Sequence, residues 1–112
     1  MRVRFQSKDL ARDCEGPKSR TRRWGEVRGK LVGRRLDELQ AAPTLATLKT
    51  LPQLRCHELK NNRSGQLSVD LGQPYRMIFT VDHAPRPTRG DGGLDWARVT
   101  AVVIHGVEDT HE

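Results

Sequence analysis

The sequence predicts an α+β domain that spans the whole chain, residues 1–112. Apolar residues recur at helical spacing in residues 18–42, whereas strand-like patterns occupy residues 66–81 and 96–104. One more short strand is expected near the N-terminus, at residues 3–7. Because the later strands follow one another through short connections, we expect them to pair antiparallel, with the helices packed on one face of a sheet of about four strands.

The first strand, "VRFQS", is followed by "KDLARDCE", which predicts one or two helical turns. Residues 18–42 then predict a longer helix with an apolar and a basic side. Gly25, Gly29 and Gly33 are unfavourable inside a helix, so its first half is expected to be weak or broken. The basic side fits either a solvated surface or a surface that docks on an acidic partner. It carries Arg22, Arg23, Arg28, Lys30, Arg34 and Arg35.

The segment "QLSVDLGQPYRMIFTV" predicts a β-hairpin. Leu67, Val69 and Leu71 alternate with polar residues in its first strand, and the Gly-Gln-Pro sequence marks the turn. In the second strand, Arg76 lies on the face opposite to that of Met77 and Phe79. Residues 82–95 are rich in Gly and Pro and predict a long loop, after which "WARVTAVVI" predicts a central strand and "HGVEDTHE" a polar tail.

Composition indicates a basic protein. The net charge is +6, and 15 of the 20 Lys and Arg residues are Arg, whose guanidinium group binds phosphate in a bidentate manner. Charge alone leaves nucleic-acid binding and an ordinary Arg-rich surface equally open. The chain shows neither an apolar signal region nor a membrane-spanning run, so we expect a cytoplasmic protein without a membrane partner.

Metal binding is not expected from the cysteine and histidine pattern. Cys56 and His57 are adjacent, so in a strand they point in opposite directions and make poor ligands for one ion. Two cysteines are also too few for a disulfide scaffold. No motif for a phosphate-binding Gly-rich loop or a serine nucleophile occurs, and no cofactor is expected.

Basic residues around the hairpin suggest a site for phosphate. His57 and Lys60 precede its first strand, Arg63 lies in a turn-like stretch, and Arg76 lies within the second strand. These residues could form a cationic cup that holds a phosphate group. The alternatives are solvated loop charge for Lys60 and Arg63, and a cross-strand salt bridge between Arg76 and Asp70.

RNA cleavage would use such residues directly. RNA carries its own nucleophile, the 2′-OH group, so the catalyst must supply a base, cations for the charged phosphorus centre and an acid for the departing 5′-oxygen. Histidine is the usual acid–base residue near neutral pH, which draws attention to His111 beside Asp109. The alternative for both is a disordered tail, because chain ends often fray.

The stretch "CHELKNNRSGQLSVDLGQPYRMIF" resembles the core of HigB-like toxins, the plasmid maintenance system killer branch of the RelE/ParE toxin superfamily. Those proteins show a His-x-Leu-Lys step, a turn with Arg and Gly, a strand with Ser-Val/Ile, an aromatic-Arg-x-x-Phe strand and an acidic-aromatic-His tail. The matching residues are His57, Leu59, Lys60, Arg63, Gly65, Ser68, Val69, Tyr75, Arg76, Phe79, Asp109 and His111.

The resemblance implies a RelE-like fold with a twisted antiparallel sheet. It also implies a type II toxin that acts as a ribosome-dependent endoribonuclease on mRNA, neutralised by a cognate antitoxin, often of helix-turn-helix type. His111 would be the leading acid–base residue, with Asp109 orienting or charging it, and His57 a second acid–base residue or phosphate contact. The scissile phosphate would be held by Lys60, Arg63 and Arg76.

Two departures from the family pattern keep other functions open. Thr110 stands where the family has an aromatic residue, and a Thr side chain cannot stack on a base. Asn61 and Asn62 replace a common Gly-Asp pair in the turn. One alternative is a non-enzymatic toxin that poisons DNA gyrase, as in ParE-like proteins. The other is a toxin that has lost catalysis and acts as a binding or regulatory partner.

Overall fold

The computed structural model describes residues 1–110, in which three α-helices pack against a five-stranded sheet. This confirms the α+β class. Within these residues, no helix is long and apolar enough to cross a membrane. The helices are α1 (Lys8–Cys14), α2 (Pro17–Trp24) and α3 (Glu26–Ala41), and the strands are β1 (Arg2–Phe5), β2 (His57–Glu58), β3 (Gln66–Asp70), β4 (Tyr75–Val81) and β5 (Ala101–Asp109).

The sheet is mixed, with the strand order β1-β5-β4-β3-β2. β1 runs parallel to β5, whereas the other neighbouring pairs are antiparallel. The expectation of an antiparallel sheet of about four strands is therefore wrong in strand number and in the direction of β1. The strand that was not predicted, β2, contains only His57 and Glu58, and these are too few residues to show an alternating pattern. The pairing of β1 involves the far end of the chain, so no local pattern reports it.

The helical segment predicted at residues 18–42 is divided in two at Gly25. This residue has a φ of 85°, a left-handed conformation that glycine adopts without strain, and α2 ends where α3 begins. The two helices then pack very closely at Gly29. A Cβ atom built on Gly29 would lie only 2.9 Å from the carbonyl group of Arg20 in α2. The glycines therefore break the helix once and then allow its two halves to pack against each other.

The basic side of this helical segment is only partly exposed. Arg35 is 5% exposed, and its guanidinium donates to the carbonyl oxygen of Asp70 at 2.7 Å and to the carboxylate of Glu38 at 2.8 Å. Arg28 lies over the ring of Tyr75, 3.6 Å from its centroid. Both arginines hold α3 against the sheet, so the uniformly basic outer face expected from the sequence is wrong at these two positions.

The hydrophobic core lies between the helices and one face of the sheet. Leu67 and Val69 of β3 and Met77 and Phe79 of β4 are all buried on this face, as predicted for the core side of the hairpin. Ser68, Arg76 and Ile78 on the opposite face are buried as well. The register of the hairpin pairs Asp70 with Arg76. The helices and β5 add Val32, Leu36, Leu39, Val102 and Ile104 to the core.

β5 begins later and ends later than the sequence predicts. Residues 96–98 form a 3₁₀ turn, and the strand continues through Asp109 into the expected polar tail. A β-bulge interrupts the strand pattern after residue 104. Ile78 pairs with Gly106 and Phe79 pairs with Ile104, which leaves His105 as an extra residue. After the bulge, the register places Glu108 opposite Arg76 and Asp109 opposite Tyr75, so the end of β5 lies beside the hairpin.

Replacing Gly29 with alanine tests the close approach of α2 and α3. Alanine favours a helix by about 1 kcal/mol over glycine, but overpacking a tight contact typically costs about 1–3 kcal/mol. Because the clash is with backbone atoms, we expect Gly29→Ala to lower the free energy of unfolding, measured by urea denaturation. Gly90→Ala is the control, since its Cβ meets open space and should change stability by less than about 0.5 kcal/mol. An equal or more stable Gly29→Ala protein would contradict the packing argument.

Candidate functional site

A cleft opens where β2, the turn at Asn61–Arg63 and the end of β5 meet. It consists of two adjoining cavities, of about 700 and about 350 Å³, that share His57, Leu59 and Thr110. We call the two together the cleft. The larger cavity is also lined by Glu58, Lys60, Asn61, Arg63 and Asp109, and the smaller by Asp70, Gln73, Pro74, Tyr75 and Arg76. Five of the predicted site residues thus line one cleft, whereas His111 lies outside the described residues.

His57 lies exposed on the edge strand β2, where it pairs with Ser68 of β3. Its Nδ1 atom lies 3.0 Å from the carbonyl oxygen of Glu58. A carbonyl oxygen can only accept a hydrogen bond, so this contact requires a proton on Nδ1. In the neutral ring, Nε2 then keeps its lone pair. His57 therefore has the tautomer that a general base needs, with its proton-accepting nitrogen free of that contact.

Lys60 is the least committed cation of the cleft. It is exposed, and among the described residues it has neither a hydrogen-bond acceptor nor a carboxylate within salt-bridge distance. An ammonium group on a flexible stem can follow a ligand charge without first breaking an ion pair. Of the predicted phosphate-binding residues, Lys60 is thus the one most available to an incoming anion.

Arg63 also lines the cleft, but its guanidinium is occupied. It donates to both carboxylate oxygens of Glu108, at 2.8 and 2.9 Å, and to the side-chain oxygen of Gln66 at 2.6 and 2.9 Å. The hydrogen bond with Glu108 raises the pKa of Arg63 above its usual value. This bidentate pair ties the turn at Asn61–Arg63 to the end of β5, so Arg63 shapes the wall of the cleft.

Arg76 is buried beneath the cleft, with 8% of its surface exposed. Its Nε atom donates to the Ser68 hydroxyl at 2.6 Å, its Nη2 atom donates to the carbonyl of Arg55, and its Nη1 atom lies 4.0 Å from the Asp70 carboxylate. Burial lowers the pKa of Arg76, and the charge of Asp70 opposes that shift. The cross-strand salt bridge considered from the sequence is confirmed, and Arg76 joins β4 to β3 and to the segment before β2.

The end of β5 brings Asp109 and Thr110 to the cleft. Asp109 lines the larger cavity, and the Thr110 amide donates to the Pro74 carbonyl at 2.9 Å. This contact fixes the chain beside the hairpin turn.

Cys56 precedes β2 and is largely shielded from solvent. Burial raises the pKa of its thiol to about 12, although the charges of Arg76 and Lys49 oppose that shift. A pKa this high disfavours the thiolate near neutral pH, so the thiol is a poor nucleophile. Within residues 1–110, no group of three or more His, Cys, Asp or Glu side chains is arranged to hold a metal ion.

No protein-family model matches the chain, and no curated protein matches it significantly.

Sequence reasoning missed Glu108, the acidic partner of Arg63. Glu108 carries the pairing with Arg63, yet its position opposite Arg76 depends on the bulge at His105. No residue pattern gives the register across that bulge. The Asp70–Arg76 pair could be predicted from the sequence, because the hairpin turn fixes which residues lie opposite each other.

Replacing Arg76 with leucine tests whether this arginine supports the fold. The change leaves Asp70, the Ser68 hydroxyl and the Arg55 carbonyl without their donor. Removing one partner of a buried pair costs about 3–5 kcal/mol, and the partial exposure of Asp70 places this site at the lower end, near about 3 kcal/mol. Urea unfolding measures the loss. Lys60→Leu is the matched control and should change stability by less than about 0.5 kcal/mol. Similar effects of the two variants would rule out a structural role for Arg76.

The protonated state of Cys56 predicts slow alkylation. Because only the thiolate reacts, we expect native Cys56 to react with iodoacetamide at pH 8 at least about a hundredfold more slowly than in the unfolded chain. The rate should increase as the pH rises towards the pKa of about 12. Peptide mass spectrometry separates Cys56 from Cys14. Equal rates in native and denatured protein would show that Cys56 is an accessible thiolate.

Proposed function

We propose that the protein is a toxin of a type II toxin–antitoxin system that cleaves mRNA on the ribosome. The observation that carries the proposal is the cleft, which brings His57, Lys60 and Asp109 together. The resemblance of the sequence from Cys56 to Phe79 to HigB-like toxins supports the same function. The exposed Lys60 beside a histidine with a free ring nitrogen suits a substrate that contains both a phosphate group and a nucleophile.

The proposed reaction follows from the chemistry of RNA. The Nε2 atom of His57 removes the proton of a 2′-OH group, and the 2′-oxygen forms a bond to the adjacent phosphorus. The bond from phosphorus to the 5′-oxygen breaks, and His111, protonated beforehand, supplies the proton that the departing oxygen needs. Lys60 stabilises the negative charge that accumulates on the phosphoryl oxygens. The products are a 2′,3′-cyclic phosphate and a 5′-OH end.

The remaining predicted residues take different places in this proposal. Arg63 and Arg76 are held by Glu108 and by Asp70 and Ser68, so they position the cleft and contribute their charge from its walls. Asp109 orients or charges His111. The ribosome would dock on exposed basic residues of α2 and α3, such as Arg22 and Arg34. A helix-turn-helix antitoxin is the expected neutralising partner.

A second candidate is a toxin-like protein that binds without cutting. Two observations favour it over cleavage: Arg63 already forms a bidentate ion pair, and Thr110 lines both cavities where the family pattern has an aromatic residue. Without that stacking partner, the substrate loses an interaction worth about 1–3 kcal/mol per base. In this case, the protein would occupy the same ribosomal or antitoxin surface but leave the RNA intact.

Cleavage of mRNA on programmed ribosomes tests the proposal. We expect His57→Ala and His111→Ala to lower the single-turnover rate by about 10²–10⁴-fold, as for the loss of a general base or acid. Lys60→Met should lower it by about 10²-fold because charge on the phosphorus centre loses its counter-ion. Lys8→Met, an exposed lysine outside the cleft, is the matched control.

A substrate with a 2′-deoxy sugar at the scissile position provides the chemical control. It should remain intact with wild-type protein, since it lacks the nucleophile. If wild-type protein cuts neither substrate, the enzyme proposal is wrong. If it still binds the ribosome and slows translation, the second candidate replaces it.

A further inference from the structure

A basic pocket that shares no lining residue with the cleft lies in the connection between β4 and β5. It has a volume of about 430 Å³ and is formed by residues 83–88 together with Arg98. We call it the loop pocket. Three of its side chains, His83, Arg86 and Arg98, are basic, and none of its described lining residues is acidic. A positive pocket without a carboxylate is suited to an anion.

Two of these side chains present donors that no described residue uses. The Thr100 amide donates to the Nε2 atom of His83 at 3.0 Å, so the neutral imidazole carries its proton on Nδ1. Arg98 is exposed at the end of the turn Trp96–Arg98, and no carboxylate among the described residues pairs with it. His83 Nδ1 and the Arg98 guanidinium therefore remain as hydrogen-bond donors to a ligand.

The pocket is supported by an ordered connection. Asp82 pairs with Arg4 of β1 at 2.8 Å, and Thr88 forms an antiparallel bridge with Leu94. Leu94 is 3% exposed and belongs to the hydrophobic core. The segment that the sequence predicts as a long loop is therefore attached to the sheet at one end and to the core at the other, which gives the pocket defined walls.

Arg86 connects this pocket to the cleft. Its guanidinium lines the loop pocket and donates to the Glu58 carboxylate at 2.9 Å, while Glu58 lines the larger cavity of the cleft. A single ion pair thus links the lining of the loop pocket to the lining of the cleft. A ligand with one phosphate group would fill only one of them, whereas a chain with repeating phosphates can occupy both.

We propose that the loop pocket binds a backbone phosphate of single-stranded RNA whose neighbouring nucleotides occupy the cleft. The proposal rests on the proposed function and adds to it a second contact for the same strand. Arg98 and His83 would donate to the phosphate oxygens, and Arg86 would stand between the two sites. Single strands are favoured over duplexes because a flexible backbone can place successive phosphates in two separate depressions.

Salt-dependent binding of an uncleavable RNA tests this assignment. The probe is a fluorescein-labelled RNA of 12 nucleotides with 2′-O-methyl sugars, titrated at several KCl concentrations. Loss of one phosphate contact to a single strand should reduce the slope of log K against log [KCl] by about 0.7, and we expect this of Arg98→Gln. Arg98→Lys should retain the slope, since it keeps the charge.

Arg89→Gln is the matched control. Arg89 lies in the same connection and pairs with Asp91 outside the loop pocket. Its replacement by Gln removes the same charge as Arg98→Gln. Its slope should equal that of wild type. Equal slopes for Arg98→Gln and Arg89→Gln would overturn the proposal, as would failure of the wild-type protein to bind the probe.

The two proposals fail separately. If wild-type protein cleaves mRNA on ribosomes but Arg98→Gln binds the probe as Arg89→Gln does, only the loop-pocket assignment is lost. If binding depends on Arg98 but no mRNA is cleaved, the endoribonuclease proposal is lost and the RNA-binding pocket stands.

Discussion

The arrangement of the cleft depends on the hydrogen bonds and the ion pair of the buried Arg76 guanidinium group. This group joins β4 to the Ser68 hydroxyl in β3 and to the Arg55 carbonyl that precedes β2, while Asp70 supplies the opposing charge. A second buried arginine, Arg35, donates to the Asp70 carbonyl and so connects α3 to the same strand end. Charges in a poorly hydrated site must be satisfied by fixed partners, which makes the position of each attached segment specific.

This use of arginine separates structural cations from available ones. Arg35, Arg63 and Arg76 are neutralised by carboxylates and hold elements together. Lys60 and Arg98 have no such partner among the described residues and lie at two neighbouring depressions. A high arginine content therefore does not by itself measure the capacity to bind anions. In this protein, the guanidinium groups of arginine stabilise packing as much as they are available to bind anions, because each group can donate to several acceptors at once.

Local sequence patterns predicted the elements whose neighbours are close in the chain. The hairpin register followed from its turn, and with it the buried Leu67 and Val69 and the Asp70–Arg76 pair. Patterns failed where structure depends on distant partners. Gly29 and Gly33 of α3 look like helix breakers until their contacts with Arg20 of α2 are known, and the bulge at His105 hides the register that brings Glu108 to Arg63. The resemblance to a toxin family indicated which residues to expect at the site. Which of their cations form ion pairs follows only from the three-dimensional contacts.

The place of β5 in the sheet has a consequence for the order of folding. β5 lies between β1 and β4, yet it is the last of the five strands along the chain. Until it emerges during synthesis, the backbone groups of β1 lack their partner and the hydrophobic face of the hairpin remains incompletely covered. The non-local pairing of β1 with β5 also makes closure of the sheet a late and slow event. The cleft, whose wall includes the end of β5, therefore forms only after nearly all of the described chain has been made.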